Sequence, residues 1–168
     1  NAPGLTARAE VLNMDGTLKW EKTASLDSAE DSTVSALKME YPPGLTPVHF
    51  LRLKLARGNE TVSENFYWRG VEEGNYQAIR ELPKATLEAA TTRELHGNRW
   101  HLTTELHNVS AHPALLVRLK AVREKSGDRI LPALYSDNYM SLMPGERRTL
   151  RVEVDNADTR GEKPKVTV

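Results

Sequence analysis

The 168-residue sequence contains no cysteine. Disulfide bridges, thiolate zinc sites and a cysteine nucleophile are therefore excluded. Aromatic residues make up only 6% of the chain, and hydrophobic residues 39%, so a core can form but not a lavish one. Neither sign of charge is in excess, because 23 lysines and arginines balance 23 aspartates and glutamates. A surface dedicated to nucleic acid or to an anionic membrane would show a basic surplus, so neither partner is expected. No apolar run approaches the roughly 20 residues that cross a bilayer as a helix. A glycine-rich phosphate loop and a serine nucleophile elbow are also missing. The opening Asn1-Ala2-Pro3-Gly4 has neither an initiator methionine nor a leader. It reads as a piece of a longer protein, with Asn1 and Ala2 as a cloning scar.

What is present is alternation with a period of two, the mark of half-buried strands. Leu5, Ala7, Ala9 and Val11 alternate with Thr6, Arg8 and Glu10. Asn13-Met14-Asp15-Gly16 supplies a hairpin turn, and Leu18 and Trp20 mark the return strand. After the polar stretch 27–32, Thr33 to Tyr41 is predicted as a third, weaker strand, ended by Pro42-Pro43-Gly44. His49, Leu51, Leu53 and Leu55 form the inward face of a fourth strand. Val62, Phe66 and Trp68 share a face of a fifth, interrupted by Glu64.

From Gly70 to Pro83 the composition turns helix-forming but the stretch is short, which predicts a linker with one helical turn. A second strand series then begins. Trp100, Leu102, Thr104 and Leu106 line one face of a strand whose other face carries His101, Thr103, Glu105 and His107. Leu115, Val117, Leu119 and Ala121 repeat the pattern as one strand; 130–139 is mixed extended chain, and Leu150, Val152 and Val154 form a further strand. Short strands at intervals of about 8–12 residues are the signature of sandwiches and barrels. The predicted fold is therefore all-β: two tandem immunoglobulin-like β-sandwiches joined by a short linker. Residues 1–72 form the first, 73–83 the linker and 84–168 the second. An immunoglobulin-like domain needs about seven strands, so the first module is expected to lack its N-terminal strand or strands. An unpaired edge should then make it less ordered than the second, or self-associating.

Candidate sites are few. His101 and His107 share a strand face but stand about 20 Å apart at 3.3 Å per residue, too far to hold one metal ion. His49, in phase with leucines, reads as a core histidine. Glu72, Glu73 and Glu94 could in principle serve as a glycosidase pair, but acids alternate with bases throughout and read as solvated charge. Trp20, Trp68 and Trp100 fall in phase with apolar neighbours, which favours packing over an exposed sugar platform. Tyr67, Tyr135 and Tyr139 form no cluster. Asn59-Glu60-Thr61 and Asn108-Val109-Ser110 are glycosylation sequons that arise by chance. The resulting expectation is no catalytic residue, no cofactor and no metal.

Two sets of motifs do carry a resemblance. The first is Gly4-Leu5-Thr6-Ala7-Arg8-Ala9 with Asn13-Met14-Asp15-Gly16-Thr17-Leu18 and Asn65-Phe66-Tyr67-Trp68. The second is Asn75-Tyr76-Gln77-Ala78 and Leu82-Pro83-Lys84, followed by Tyr135-Ser136-Asp137-Asn138-Tyr139 and Leu142-Met143-Pro144-Gly145-Glu146. Together, over essentially the whole chain, they resemble the C-terminal region of glycoside hydrolase family 2 enzymes of the exo-β-D-glucosaminidase and β-mannosidase branch. The resemblance implies two immunoglobulin-like domains that follow a catalytic (β/α)8 barrel. The family's catalytic acids lie in that barrel, which nothing in this chain matches. Tyr135 then reads as a tyrosine tucked at a sheet corner, with Asp137 and Asn138 capping the bend. A role at the mouth of the active site is the alternative.

The implied function is a non-catalytic accessory region of a retaining β-glycosidase, scaffolding the barrel, in a periplasmic or secreted bacterial enzyme. Its partners would be the catalytic barrel and the other domains of the parent chain, with weak carbohydrate contact possible. Two other classes stay open, a carbohydrate-binding module and an adhesion or interaction module, because a shared sandwich does not define a function.

Overall fold

The computed structural model describes residues 1–168. The chain divides into two compact units, Asn1–Pro83 and Lys84–Val168, and both are built from β-strands with only two short 3-10 turns. No helix is long and apolar enough to cross a membrane.

In the first unit, strands β1 (Ala2–Asn13), β2 (Leu18–Ser28), β3 (Val48–Arg57) and β4 (Glu60–Gly70) make one antiparallel sheet in the order β2-β1-β3-β4. Register follows the alternation. Val11 lies between Trp20 and Leu51, Ala9 between Lys22 and Leu53, and Ala7 between Ala24 and Leu55. The opposite face carries Glu10 between Glu21 and Arg52. Two glutamates side by side repel. Arg8 offsets this by reaching Glu10 and Glu21, each at 2.7 Å. Farther along that face Phe50, fully buried, packs on Phe66 with ring centroids 5.3 Å apart. The β1–β2 turn closes on Gly16 at φ +87°, where Asp15 Oδ1 accepts the Thr17 amide at 2.8 Å. That amide, the largest influence on Asp15, holds its carboxyl below its ordinary pKa.

Thr33 to Tyr41 is not a strand, contrary to the prediction; residues 33–46 form no ladder. Ala36, Leu37 and Met39 instead border, together with Ala7, Ala9, Leu53 and Leu55, a hollow of about 350 Å³ on one face of the sheet. The alanines of β1 leave that sheet face shallow, and a strand added at an edge would leave it uncovered. Burial of the face therefore prevails over strand pairing. Thr46 fixes the end of this segment: its hydroxyl accepts the Met14 amide at 2.9 Å, and its own amide donates to Asn13 Oδ1 at 3.0 Å. A 3-10 turn, Gln77–Glu81, follows β4. Gly70 is required at the exit of β4, since an added Cβ would lie 2.4 Å from the Glu72 carbonyl oxygen and 2.6 Å from that of Asn75.

In the second unit, strands β5 (Leu87–His96), β6 (Arg99–Asn108), β7 (Ala114–Val117), β8 (Lys120–Arg123), β9 (Ala133–Tyr135), β10 (Met140–Leu142), β11 (Arg147–Asp155) and β12 (Pro164–Thr167) pair antiparallel. The main sheet runs β5-β6-β11-β9, and β10 pairs with β7 and β12 with β8. This is the strand order A-B-E-D of a constant-type immunoglobulin sheet, with β12 on β8 as strand F lies on C. Leu102 and Leu106 of β6 meet Leu150, Val152 and Val154 of β11, together with Leu119, Ile130 and Leu142, in one core.

The strand predicted through Leu115, Val117, Leu119 and Ala121 is broken in two. Opposite β10, Met140 pairs with Val117 and Leu142 with Ala114, so three steps on β7 face two on β10. Leu116 is the extra residue of this bulge, left-handed at φ +52° and 55% exposed. The bulge changes the phase, so Ala114 rather than Leu115 is buried, while Val117, Leu119 and Ala121 stay inside.

Candidate functional site

Of the residues weighed from sequence, His49 and Asn108 are buried and the others are half-buried or exposed. On the second unit, His96 Nε2 lies 3.1 Å from Glu94, His101 Nδ1 3.6 Å from Glu153 and His107 Nδ1 3.7 Å from Glu88. These are separate cross-strand or near-neighbour pairs, and no group of three metal-binding side chains converges. Glu72 is occupied locally, its carboxylate accepting the Asn75 amide group at 3.0 Å. Trp20, Trp68 and Trp100 are each half-buried. Trp100 packs against the core and donates its indole N–H to Asn156 Oδ1 at 2.8 Å.

The motif Tyr135–Tyr139 is committed to backbone ties. The Tyr135 hydroxyl accepts the Ala121 amide at 2.9 Å. Asn138 bonds both backbone groups of Leu119: Oδ1 accepts its N–H at 2.8 Å and Nδ2 donates to its carbonyl at 3.1 Å. Leu119 lies between β7 and β8, so this amide side chain supplies what a neighbouring strand would have supplied. Asp137 Oδ1 accepts the Asn138 amide at 2.7 Å, and Asn138 Oδ1 that of Tyr139 at 3.0 Å. Tyr139, left-handed at φ +59° and exposed, lies under the Arg118 guanidinium at 5.7 Å. Replacing Tyr135 by phenylalanine strands a buried N–H, and should destabilise the second unit by about 1–2 kcal/mol, measurable by urea unfolding.

Sequence reading missed a second tie in the same unit. Asn108, fully buried at the end of β6, donates its side-chain N–H groups to the carbonyls of His112, Leu142 and Met143 at 2.8, 3.0 and 3.2 Å. Its Oδ1 accepts from the Ser110 amide and hydroxyl. The Met143–Glu146 turn docks on its backbone, with Gly145 donating to the Asn108 carbonyl at 2.9 Å. The sequon Asn108-Val109-Ser110 is therefore a structural tie, and its buried amide nitrogen is inaccessible for glycosylation. Glu146 Oε2 accepts the Met143 amide at 2.9 Å and closes that turn.

The first unit contains a cavity of about 380 Å³ lined by residues 41–45, His49 and residues 69–71. His49 is 3% exposed, and neither ring nitrogen has a hydrogen-bond partner. Tyr41 meets the imidazole edge-on at 5.9 Å, and Arg69 stacks over Tyr41 at 5.5 Å with its Nη1 3.5 Å from the tyrosine hydroxyl. Burial is the main force holding the His49 pKa below the ordinary histidine value; the Thr46 backbone, the next influence, opposes it without a well-formed bond, and Arg69 adds to the lowering.

That shift has a definite sign. The unfolded histidine takes up a proton near pH 6.5, which the folded one resists. Stability should therefore be full above about pH 6.5 and fall as the pH drops toward the lower folded value, by at most about 1.4 kcal/mol per pH unit. Replacing His49 by leucine should flatten this slope and add about 1–2 kcal/mol near pH 7, because a buried unpaired polar group is removed. Urea unfolding at pH 5 and pH 8 measures both effects.

An all-β chain whose second unit has immunoglobulin strand order, and whose motif residues tie backbone to backbone, is an immunoglobulin-like β-sandwich protein by class. Comparison with known proteins names the family. The profile of the exo-beta-D-glucosaminidase Ig-fold domain matches residues 65–168, and the chain belongs to that family. An exo-beta-D-glucosaminidase of Streptomyces avermitilis is 30% identical, with 98% of this chain aligned to 21% of that protein. The corresponding enzyme of Amycolatopsis orientalis is 28% identical, covering 98% of this chain and 18% of its own. The crystal structure of the Amycolatopsis orientalis exo-chitosanase CsxA superposes with a TM-score of 0.88 at 26% identity, over 98% of this chain and 22% of that one. The chain thus spans about a fifth of the length of the relatives it matches. Those relatives bear the glucosaminidase name, the first half of the resemblance seen in the sequence.

Proposed function

We propose that this chain is the non-catalytic accessory β-sandwich region of a multidomain exo-β-D-glucosaminidase, supporting its catalytic barrel in carbohydrate breakdown. The observation that carries the reading is the match itself: nearly all of this chain aligns to about a fifth of each relative, and the matching family profile describes an immunoglobulin fold. The polar residues of the shared motifs are consistent with support, since Tyr135, Asn138 and Glu146 hold backbone rather than face a cleft. In the parent enzyme, one carboxylate would attack the anomeric carbon and another would act as acid and then base. Both would belong to other parts of the parent polypeptide, which would be this chain's partners. A periplasmic or secreted bacterial setting is part of the same proposal.

The test compares this chain with its parent polypeptide on chromogenic β-glucosaminide and β-mannoside. Turnover of the glucosaminide by the parent alone is the expected result. Turnover by the isolated chain would overturn the non-catalytic role, and turnover only of mannoside would overturn the sugar assignment.

A further inference from the structure

The cavity over His49 has features that support of a barrel does not explain. Arg69 touches only Tyr41 among the contacts of its guanidinium. Arg8 and Arg52 on the same sheet, by contrast, lie against Glu10. None of the residues lining the cavity is acidic. A guanidinium beside an apolar hollow with no carboxylate to neutralise it is an anion site in waiting.

Beneath it lies an imidazole with two unpaired nitrogens, a rare state for a buried polar group that calls for a missing partner. The groups that converge there are a guanidinium, a phenol hydroxyl and a neutral imidazole, all able to donate. Pro42, Pro43, Leu45 and Val71 supply an apolar wall, and the volume lies within the range of small-molecule pockets. We propose that this cavity binds a small organic carboxylate. Its two oxygens would lie against Arg69 and the Tyr41 hydroxyl, and its carbon body against Pro43, Leu45 and Val71.

The chemistry discriminates among ligands. A planar carboxylate matches one guanidinium fork, and the apolar wall of Pro42, Pro43, Leu45 and Val71 favours an anion with a carbon body over inorganic phosphate. A cationic amino sugar would be repelled by Arg69. Access to the imidazole lies past Tyr41, which is 46% exposed and belongs to the stretch without ladder bonds.

The 168-residue chain, with its histidine side chains isotope-labelled, would be titrated with benzoate and with glucuronate at constant ionic strength. Benzyl alcohol, glucose and glucosamine serve as controls. At least one acid should shift the His49 ring resonances saturably, and the controls should not. R69Q should raise the dissociation constant at least tenfold, with R69K intermediate. H49L, expected to be the more stable protein, should bind several-fold more weakly as read by calorimetry, which separates a binding role from a folding one. No saturable response to either acid, or an unchanged constant in R69Q, would overturn the proposal.

Discussion

Replacing Asn108 by alanine should destabilise the second unit by about 3–4 kcal/mol, lowering its melting temperature by roughly 15–25 °C for a unit of this size. The residue is fully buried, and its amide group serves three carbonyls, of His112, Leu142 and Met143. Truncation removes the side-chain partner of the Leu142 carbonyl and of the Ser110 amide, and one of two partners of the His112 and Met143 carbonyls, which keep the Ser110 hydroxyl and the Glu146 amide. Each net bond is worth only about 1 kcal/mol, but each stranded group adds its own desolvation cost. Asn108→Asp sharpens the test because it keeps the shape. An ionised carboxylate would face three carbonyl oxygens, so its folded pKa must rise above the unfolded value near 3.9. The variant should therefore gain stability as pH falls through that raised value, the reverse of what the parent protein does with His49. Thermal unfolding of all three proteins at pH 4.5 and 7.5 gives the result. A loss below about 1 kcal/mol in Asn108→Ala would show that the loops hold without the side chain.

Why this tie escaped a reading of the sequence is instructive. Asn108-Val109-Ser110 fits a short local pattern, but the meaning of Asn108 depends on Leu142, 34 residues away. Alternation, by contrast, is local, so β1, β3, β6 and β11 could be read directly: Leu150, Val152 and Val154 are inside, and Arg151 is outside. Turns with a fixed chemical requirement were legible too, such as Gly16 at φ +87°. The errors lie where tertiary demand overrides local pattern. Thr33–Tyr41 has strand-like composition, yet it forms no ladder and its Ala36, Leu37 and Met39 border the hollow on the alanine-lined face of β1. Alternation places Leu115 inward, yet the bulge at Leu116 shifts the phase, so that Ala114 is buried in its place.

The cavity in the first unit shows the same division. The position of His49 on the inward face follows from its spacing with Leu51 and Leu53. Its unpaired nitrogens, and the stacking of Arg69 on Tyr41, depend on how residues 41–45 lie over the sheet, which no periodicity specifies.

Arg123→Ala is the second large loss, about 3–4 kcal/mol, and it tests whether a buried arginine acts through charge or through geometry. Arg123 closes β8 and is 7% exposed. Its Nη2 donates to the Asp158 carbonyl at 2.9 Å and its Nε to the Thr159 carbonyl at 3.2 Å, at the end of the 3-10 turn Ala157–Thr159. Thr159 is itself fully buried and its carbonyl also accepts the Glu162 amide at 3.2 Å, so truncation leaves the Asp158 carbonyl without this donor and the Thr159 carbonyl with one bond in place of two, beside a void. The Asp128 carboxylate lies 3.5 Å away but is largely exposed, and an ion pair open to solvent contributes about 0–1 kcal/mol. Asp128→Asn should therefore cost less than about 0.5 kcal/mol and show little salt dependence. Arg123→Lys should recover less than half of the alanine loss, since one ammonium cannot reproduce a planar fork aimed at two carbonyls. Urea unfolding of the three variants at low and high salt separates the two accounts. If Asp128→Asn matches Arg123→Ala in cost, and salt weakens the parent by a similar amount, the ion pair and not the carbonyl ties holds the 156–163 loop on β8.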